Sequence, residues 1–203
     1  KPDIRFVSPK EALSYIRSGQ RVFIHGSAQT PVFLVNELAK EADRLENVEL
    51  VSISVYGNLD ICKPEYAKNF RMNSMFVSGA IRDAVADGRA DYIPVFLSEI
   101  PELFKQNILP IDVAIVQVSV PDEHGYCSLG VSVDVARSAV NTMRPSPEPR
   151  SMTTSSSRMS ATRIMRSTFS CALPTKMEKR SCANTAAESV RVTAMRSSAA
   201  CWR

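Results

Sequence analysis

The chain has 203 residues, enough for one large domain or two small ones, and its formal net charge of +4 conceals two unlike parts. Residues 1–140 hold 14 Lys+Arg against 18 Asp+Glu, whereas residues 141–203 hold 11 against 3. No stretch is apolar for long enough to argue for a membrane-spanning helix, and Cys62, Cys127, Cys171, Cys182 and Cys201 follow neither metal-ligand spacing nor a paired pattern, which argues against a zinc module or a disulfide scaffold.

Taken in order, the chain starts at Lys1, which reads as a trimmed or incomplete start. Ser8-Pro9-Lys10-Glu11 is a capping box with proline at the first helical position, and Gly19 ends the helix that follows. Val22, Phe23 and Ile24 make a short buried strand that runs into His25, Gly26, Ser27, Ala28, Gln29, Thr30 and Pro31. Thr30 is placed to cap a helix whose apolar face is Val35, Leu38, Ala42 and Leu45, and residues 48–55 form the next strand, completing a βαβ unit. Residues 57–67 read as loop, 70–77 as strand, 81–86 as a short helix stopped by Gly88, and 92–96 as strand. Ser98 is placed to cap a helix over 100–106.

Residues 111–118 carry an apolar, β-branched run of the kind buried on both faces of a parallel sheet. The run breaks at Pro121 into a polar loop containing Asp122, Glu123, His124, Gly125 and Tyr126, and Asp134 is placed to cap a last helix bearing Val135, Ala136, Ala139 and Val140. The pattern predicts an α/β fold with a mostly parallel sheet, an interior strand over 111–118 and ligand-facing loops at the carboxyl ends of the strands.

Three such loops hold the candidate substrate-binding residues. Gly26, Ser27, Ala28, Gln29, Thr30 and Pro31 precede a helix, where backbone amides favour a carboxylate or an acyl-transfer oxyanion; spacing alone favours a plain strand–helix connection. Ser78 and Gly79 lie between a strand and a helix, with Arg82 close behind. His124, Gly125 and Tyr126 shape the third loop, in which adjacent Asp122, Glu123 and His124 cannot all converge on one point. His25 reads as a structural histidine and Cys127 as a small buried thiol, since no activating base is identifiable.

Residues 118–134, VSVPDEHGYCSLGVSVD, resemble the acetyl-CoA hydrolase/transferase family, a branch of the CoA-transferases that includes acetate and 4-hydroxybutyrate CoA-transferases. GRADYIPVFLSEIP at 88–101 and NILPIDVAI at 107–115 resemble the same family, and the likeness runs over about residues 19–141. Val120 departs from it, standing where the family usually has a second proline. The resemblance implies two α/β halves, with a glutamate nucleophile and the main coenzyme A loops in the carboxyl-terminal half, and an acyl-side loop in the amino-terminal one. It therefore implies acyl-CoA and a small carboxylate as partners, coenzyme A thioester as a substrate with no bound cofactor, and no catalytic residue among residues 1–142. It also implies a cytoplasmic enzyme that is a homo-oligomer when full length, in keeping with the reduced thiols.

Residues 143–203 fit none of this. The stretch from 141 onward holds 12 Ser, 8 Thr, 6 of the 8 Met and no Gly. It reads as a disordered Ser/Arg-rich tail or, the sharper expectation, as a stretch translated from a shifted reading frame, leaving 1–142 as an amino-terminal fragment inactive alone. Two other functions are less well matched by the sequence. A sugar-phosphate isomerase needs a phosphate loop with Gly, Ser/Thr and Lys, which is not evident. A binding protein using the basic tail on nucleic acid has only Phe169 and Trp202 there for stacking. The expectation is no nucleic acid and no membrane.

Overall fold

The computed structural model describes residues 5–119, 127–143, 164–165 and 192–194. Strands β1 (Arg5–Val7), β2 (Arg21–Ile24), β3 (Val48–Ser52), β4 (Phe70–Ser74), β5 (Ala90–Tyr92) and β6 (Val113–Ile115) alternate with helices α1 (Pro9–Leu13), α2 (Val32–Ala39), α3 (Arg82–Ala86), α4 (Ile100–Lys105) and α5 (Ala136–Thr142). Five strands form a parallel sheet in the order β5-β4-β3-β2-β6. The two-residue β7 (Ile164–Met165) lies parallel along β6, and β8 (Val192–Ala194) pairs antiparallel with β1. The rest of 144–203, on which the reading of the tail bears, falls outside the described residues.

Alternation along each strand explains the layers. Val22 and Ile24 of β2, Leu50 of β3 and Val113 and Ile115 of β6 face one core, where Leu13 of α1, Leu34 and Leu38 of α2 and Ala84 of α3 cover them. Phe23, Val51 and Ala114 point the other way, against Ile100 and Phe104 of α4 and Ala136, Ala139 and Val140 of α5. Phe23 and Phe104 meet edge to face, with ring centroids 6.0 Å apart. This is an α/β sandwich with the sheet buried on both faces, as the apolar runs require.

The structure corrects several details. The strand expected over 111–118 pairs only at Val113–Ile115, and those over 48–55 and 70–77 end at Ser52 and Ser74. Beyond those points the carbonyls turn to loop partners: Phe76 N–H donates to Ile53 O, and Ser27 N–H to Ser54 O. β5 begins two residues earlier than the pattern suggests. Neither Thr30 nor Ser98 caps a helix; Pro31 and Glu99 occupy those positions without a side-chain cap. Residues 57–67 carry two 3-10 turns, Asp60–Cys62 and Pro64–Tyr66. The Ser8 cap is present, its Oγ accepting from Glu11 N–H at 3.2 Å.

Candidate functional site

Parallel strands end in the same direction, so the segments after β2, β3, β4 and β6 gather at one edge of the sheet. The segment after β2 is held from both sides there. His25 continues the β2–β6 ladder, its N–H donating to Ile115 O at 3.0 Å. Its imidazole is fully buried and Nε2 lies 2.6 Å from Ser132 O, a contact in which the nitrogen must carry the proton because a carbonyl only accepts. Gly26 N–H donates to Asp134 Oδ2 at 3.1 Å. Ser27, in the left-handed region at φ 53°, donates its N–H to Ser54 O at 2.8 Å.

Thr30 is nearly buried and locks the far end of the loop. Its Oγ1 donates to Ser27 O at 2.8 Å and accepts Tyr56 N–H at 3.1 Å. A hydroxyl that serves the loop in this way is not available to cap α2. Gln29 N–H donates to Gly26 O and Thr30 N–H to Ser27 O. The amides of Gly26, Ser27, Gln29 and Thr30 are thus committed within the protein, and Ala28 is the exposed residue of the loop.

The loop after β4 joins the same edge. Ser78 Oγ donates to Val55 O at 2.5 Å, and Ser74 Oγ to Phe76 O at 2.8 Å. Gly79 stands in open space, while Tyr56, Phe76 and Val77 expose apolar side chains. Segments 26–31, 53–58 and 75–79 therefore form one hydrogen-bonded crest, with Ser78 and Gly26–Thr30 tied to neighbouring positions of the segment after β3. His124, Gly125 and Tyr126 lie outside the described residues; Cys127 is half-buried. Arg82 is exposed at the start of α3. Among the described residues no three His, Cys, Asp or Glu side chains could hold a metal ion, and no helix is long and apolar enough to cross a membrane.

Two further residues emerge: Asp134, which the sequence places as a helix cap, and Gly130. Asp134 is not the N-cap of α5, a place taken by Val135; its own backbone is left-handed at φ 52°, its Oδ1 accepts Val135 N–H at 2.7 Å, and its Oδ2 reaches the Gly26 amide. Gly130, at φ 74°, lies under the Gln29 amide so closely that a Cβ there would overlap it. A separation of about a hundred residues carries no periodic signal, so neither contact was readable from spacing. Burial pushes the His25 imidazole below its ordinary 6.5, opposed by the Ser132 carbonyl and the Asp134 charge. Burial likewise pushes the Asp134 carboxyl above its ordinary 3.8, opposed by the Val135 and Gly26 amides and by His25.

Similarity to known proteins follows the same residues. Residues 3–144 match the family model of the acetyl-CoA hydrolase/transferase N-terminal domain. The chain is 42% identical over 140 residues to a 4-hydroxybutyrate coenzyme A transferase of Clostridium kluyveri, covering 69% of this chain and 33% of that protein. It is 42% identical over 132 residues to a succinyl-CoA:acetate/propanoyl-CoA:succinate CoA transferase of Fasciola hepatica, covering 64% and 27%. Among solved structures, RipA from Yersinia pestis aligns with a TM-score of 0.56 at 32% identity, over 66% of this chain and 34% of that one. A 4-hydroxybutyrate CoA-transferase from Porphyromonas gingivalis aligns with a TM-score of 0.53 at 28% identity, over 68% and 30%. The chain spans about a third or less of the length of these relatives.

Two outcomes test this geometry. Gly130→Ala adds a side chain both where φ is positive and where Gln29 already lies, Gly19→Ala adds one where φ is positive but space is open, and Gly79→Ala adds one in open space. Urea unfolding should rank the losses Gly130 > Gly19 > Gly79, with about 1 kcal/mol at Gly19 and less than about 0.5 kcal/mol at Gly79. The second outcome concerns pH. Below about 6.5 the unfolded chain protonates His25 while the folded chain resists, so the unfolded state binds more protons and stability falls as pH drops through that window. Asp134 acts oppositely: above about 3.8 the folded chain keeps the proton longer, so its contribution falls as pH rises to its folded value. His25→Gln, which retains a donor toward Ser132, should lose less stability than the wild type between pH 7 and pH 6; parallel losses would show that His25 does not titrate with unfolding.

Proposed function

The chain belongs to the acetyl-CoA hydrolase/transferase family, and from that premise we propose that residues 1–142 are the amino-terminal α/β domain of an enzyme that moves coenzyme A from an acyl-CoA thioester to a small carboxylate. Residues 143–203 stand outside that domain in this reading. The observation that carries it is the match over residues 3–144, which coincides with the five-stranded sheet and the crest at its carboxyl edge. The relatives' names cover 4-hydroxybutyrate, succinate, acetate and propanoyl substrates, which supports short carboxylic acids as the acceptor class.

In this reading the crest faces the acyl group. Gly26, Ser27, Ala28, Gln29, Thr30 and Pro31 supply one wall, and Ser78 and Gly79 another. His124, Gly125 and Tyr126 supply a third. Tyr56, Phe76 and Val77 offer apolar surface to a short acyl chain beside polar loop atoms, the mixture that small-ligand sites use. Because the loop's own amides are mostly committed, its contribution is shape and side-chain contact rather than an amide cradle. The thioester enters as substrate with no bound cofactor, and the glutamate nucleophile implied by the family resemblance is supplied by the family's carboxyl-terminal half. The full-length protein is cytoplasmic and homo-oligomeric in this proposal, without nucleic-acid or membrane partners.

Residues 1–141 placed in frame with the carboxyl-terminal half of a family member should exchange coenzyme A between acetyl-CoA and a short carboxylate, whereas a polypeptide of residues 1–203 should not. Inserting two residues into loop 26–31 of the fused protein should lower kcat/KM by about 100-fold or more, since small misplacements at a reacting centre cost that much. Cys127→Ala should retain most of the rate. Robust exchange by the 203-residue polypeptide, abolished by Cys127→Ala, would overturn the assignment.

A further inference from the structure

The residues around Gly26 form an arrangement that the family reading leaves unexplained. A Cβ at position 26 would lie 2.5 Å from Asp134 Oδ2 and 2.8 Å from the Ser54 carbonyl oxygen, so this position accepts glycine alone without a shift of backbone or carboxylate. The hydroxyl of Ser52 lies 3.4 Å from the same point; it is fully buried, with no hydrogen-bond partner among the described residues. Asp134 reaches Gly26 from a left-handed backbone, and Ser27, the next residue of the loop, is left-handed as well. Each such residue is strained and persists only where its surroundings over-determine it.

We propose that Asp134 is the positioning residue of the acyl-side loop: through the Gly26 N–H, its carboxylate seats residues 26–31 in the conformation that faces the substrate. The proposal rests on the reading above that this loop faces the acyl group. Three observations combine in it. The Gly26 amide is buried and Asp134 Oδ2 is its acceptor, so removing the carboxylate orphans a buried donor. The other oxygen is fixed by Val135 N–H at the head of α5, so the carboxylate cannot swing away without leaving a second amide unpaired. The same stretch is held through His25, whose Nε2–H donates to Ser132 O, and through the Gln29 side chain over Gly130. Together with the segment after β3, α5 and the stretch before it thus give the loop its shape, rather than α2, which it precedes.

An amide that donates to a carboxylate senses that carboxylate's charge, and this separates positioning by Asp134 from a general loss of packing. His25 is the titratable group among the described residues whose charge acts on Asp134, and Asp134 is the one whose charge acts on His25. In the 15N-labelled full chain, the Gly26 amide shift should titrate with a midpoint above the ordinary carboxylate value of about 4. Asp134→Asn, which keeps an acceptor oxygen but no charge, should abolish that titration while leaving Gly26 hydrogen exchange within about tenfold of the wild type. Asp134→Ala should speed exchange at Gly26 by more than tenfold and leave the Leu50 amide of β3 unchanged. A Gly26 titration that survives Asp134→Asn would overturn the proposal, as would an Asp134→Ala chain whose Gly26 exchange is unaltered. Should Asp134→Ala fail to fold, the titration in the Asn variant still decides. These readouts do not depend on coenzyme A transfer, so a fused protein that folds but transfers nothing would count against the acyl-side reading while leaving the Asp134 result to stand or fall by itself.

Discussion

A parallel sheet covered by helices on both faces has no room for polar chemistry within it. Apart from Ser52 at the carboxyl end of β3, the inward side chains of β2, β3 and β6 are apolar and buried, so backbone groups that leave the ladder must find partners at the strand ends. In this chain that demand is met by cross-loop hydrogen bonds. Ser54 O accepts from Ser27, Val55 O from Ser78, and Thr30 Oγ1 from Tyr56. The bonds that satisfy the ends of the sheet are the same bonds that fix the candidate site.

This economy has a cost. Ser27 and Asp134 are held left-handed, Gly26 admits no side chain, and His25 Nδ1 and Ser52 Oγ are buried with no hydrogen-bond partner among the described residues. Strained backbone and unpartnered buried atoms gathered at the carboxyl edge mark where shape is maintained against local preference. At the amino-terminal edge the left-handed non-glycine residues are Asn47 and Asn107, a type that tolerates that backbone, and Arg21 pairs with Glu49 while its amide donates to Asp112 Oδ2, contacts that settle strand register.

Much of the fold was legible because it is written in short-range patterns. The β2–α2–β3 unit, the Ser8 cap, Val35 and Leu38 on the apolar face of α2 and the apolar face of α5 follow from spacing within a dozen residues, whereas Ala42 and Leu45, expected on the same face, lie beyond the end of α2 at Ala39. Strand ends were less legible, since the apolar runs continue through Val55 and Val116 although ladder pairing stops earlier; those residues are buried by loops and helices instead. The capping roles of Thr30 and Asp134 were misread for one reason. A short polar residue before an apolar helical stripe looks like a cap, but here both side chains are claimed by partners far away in sequence. The loops after β2 and β4 were identified from the sequence, while the clasp between Gly26 and Asp134 spans 108 positions and has no local signature.

We propose that the carboxyl edge of this sheet is the acyl side of a CoA-transferase site. A crystal structure of residues 1–141 joined in frame to a family carboxyl-terminal half, with a bound acyl-CoA, tests it most directly. Acyl atoms are expected within about 4 Å of loop 26–31 and of the segment after β4, the range of direct side-chain contact. An acyl group seated at the opposite edge, near Gly19, Asn47 and Asn69, would contradict it.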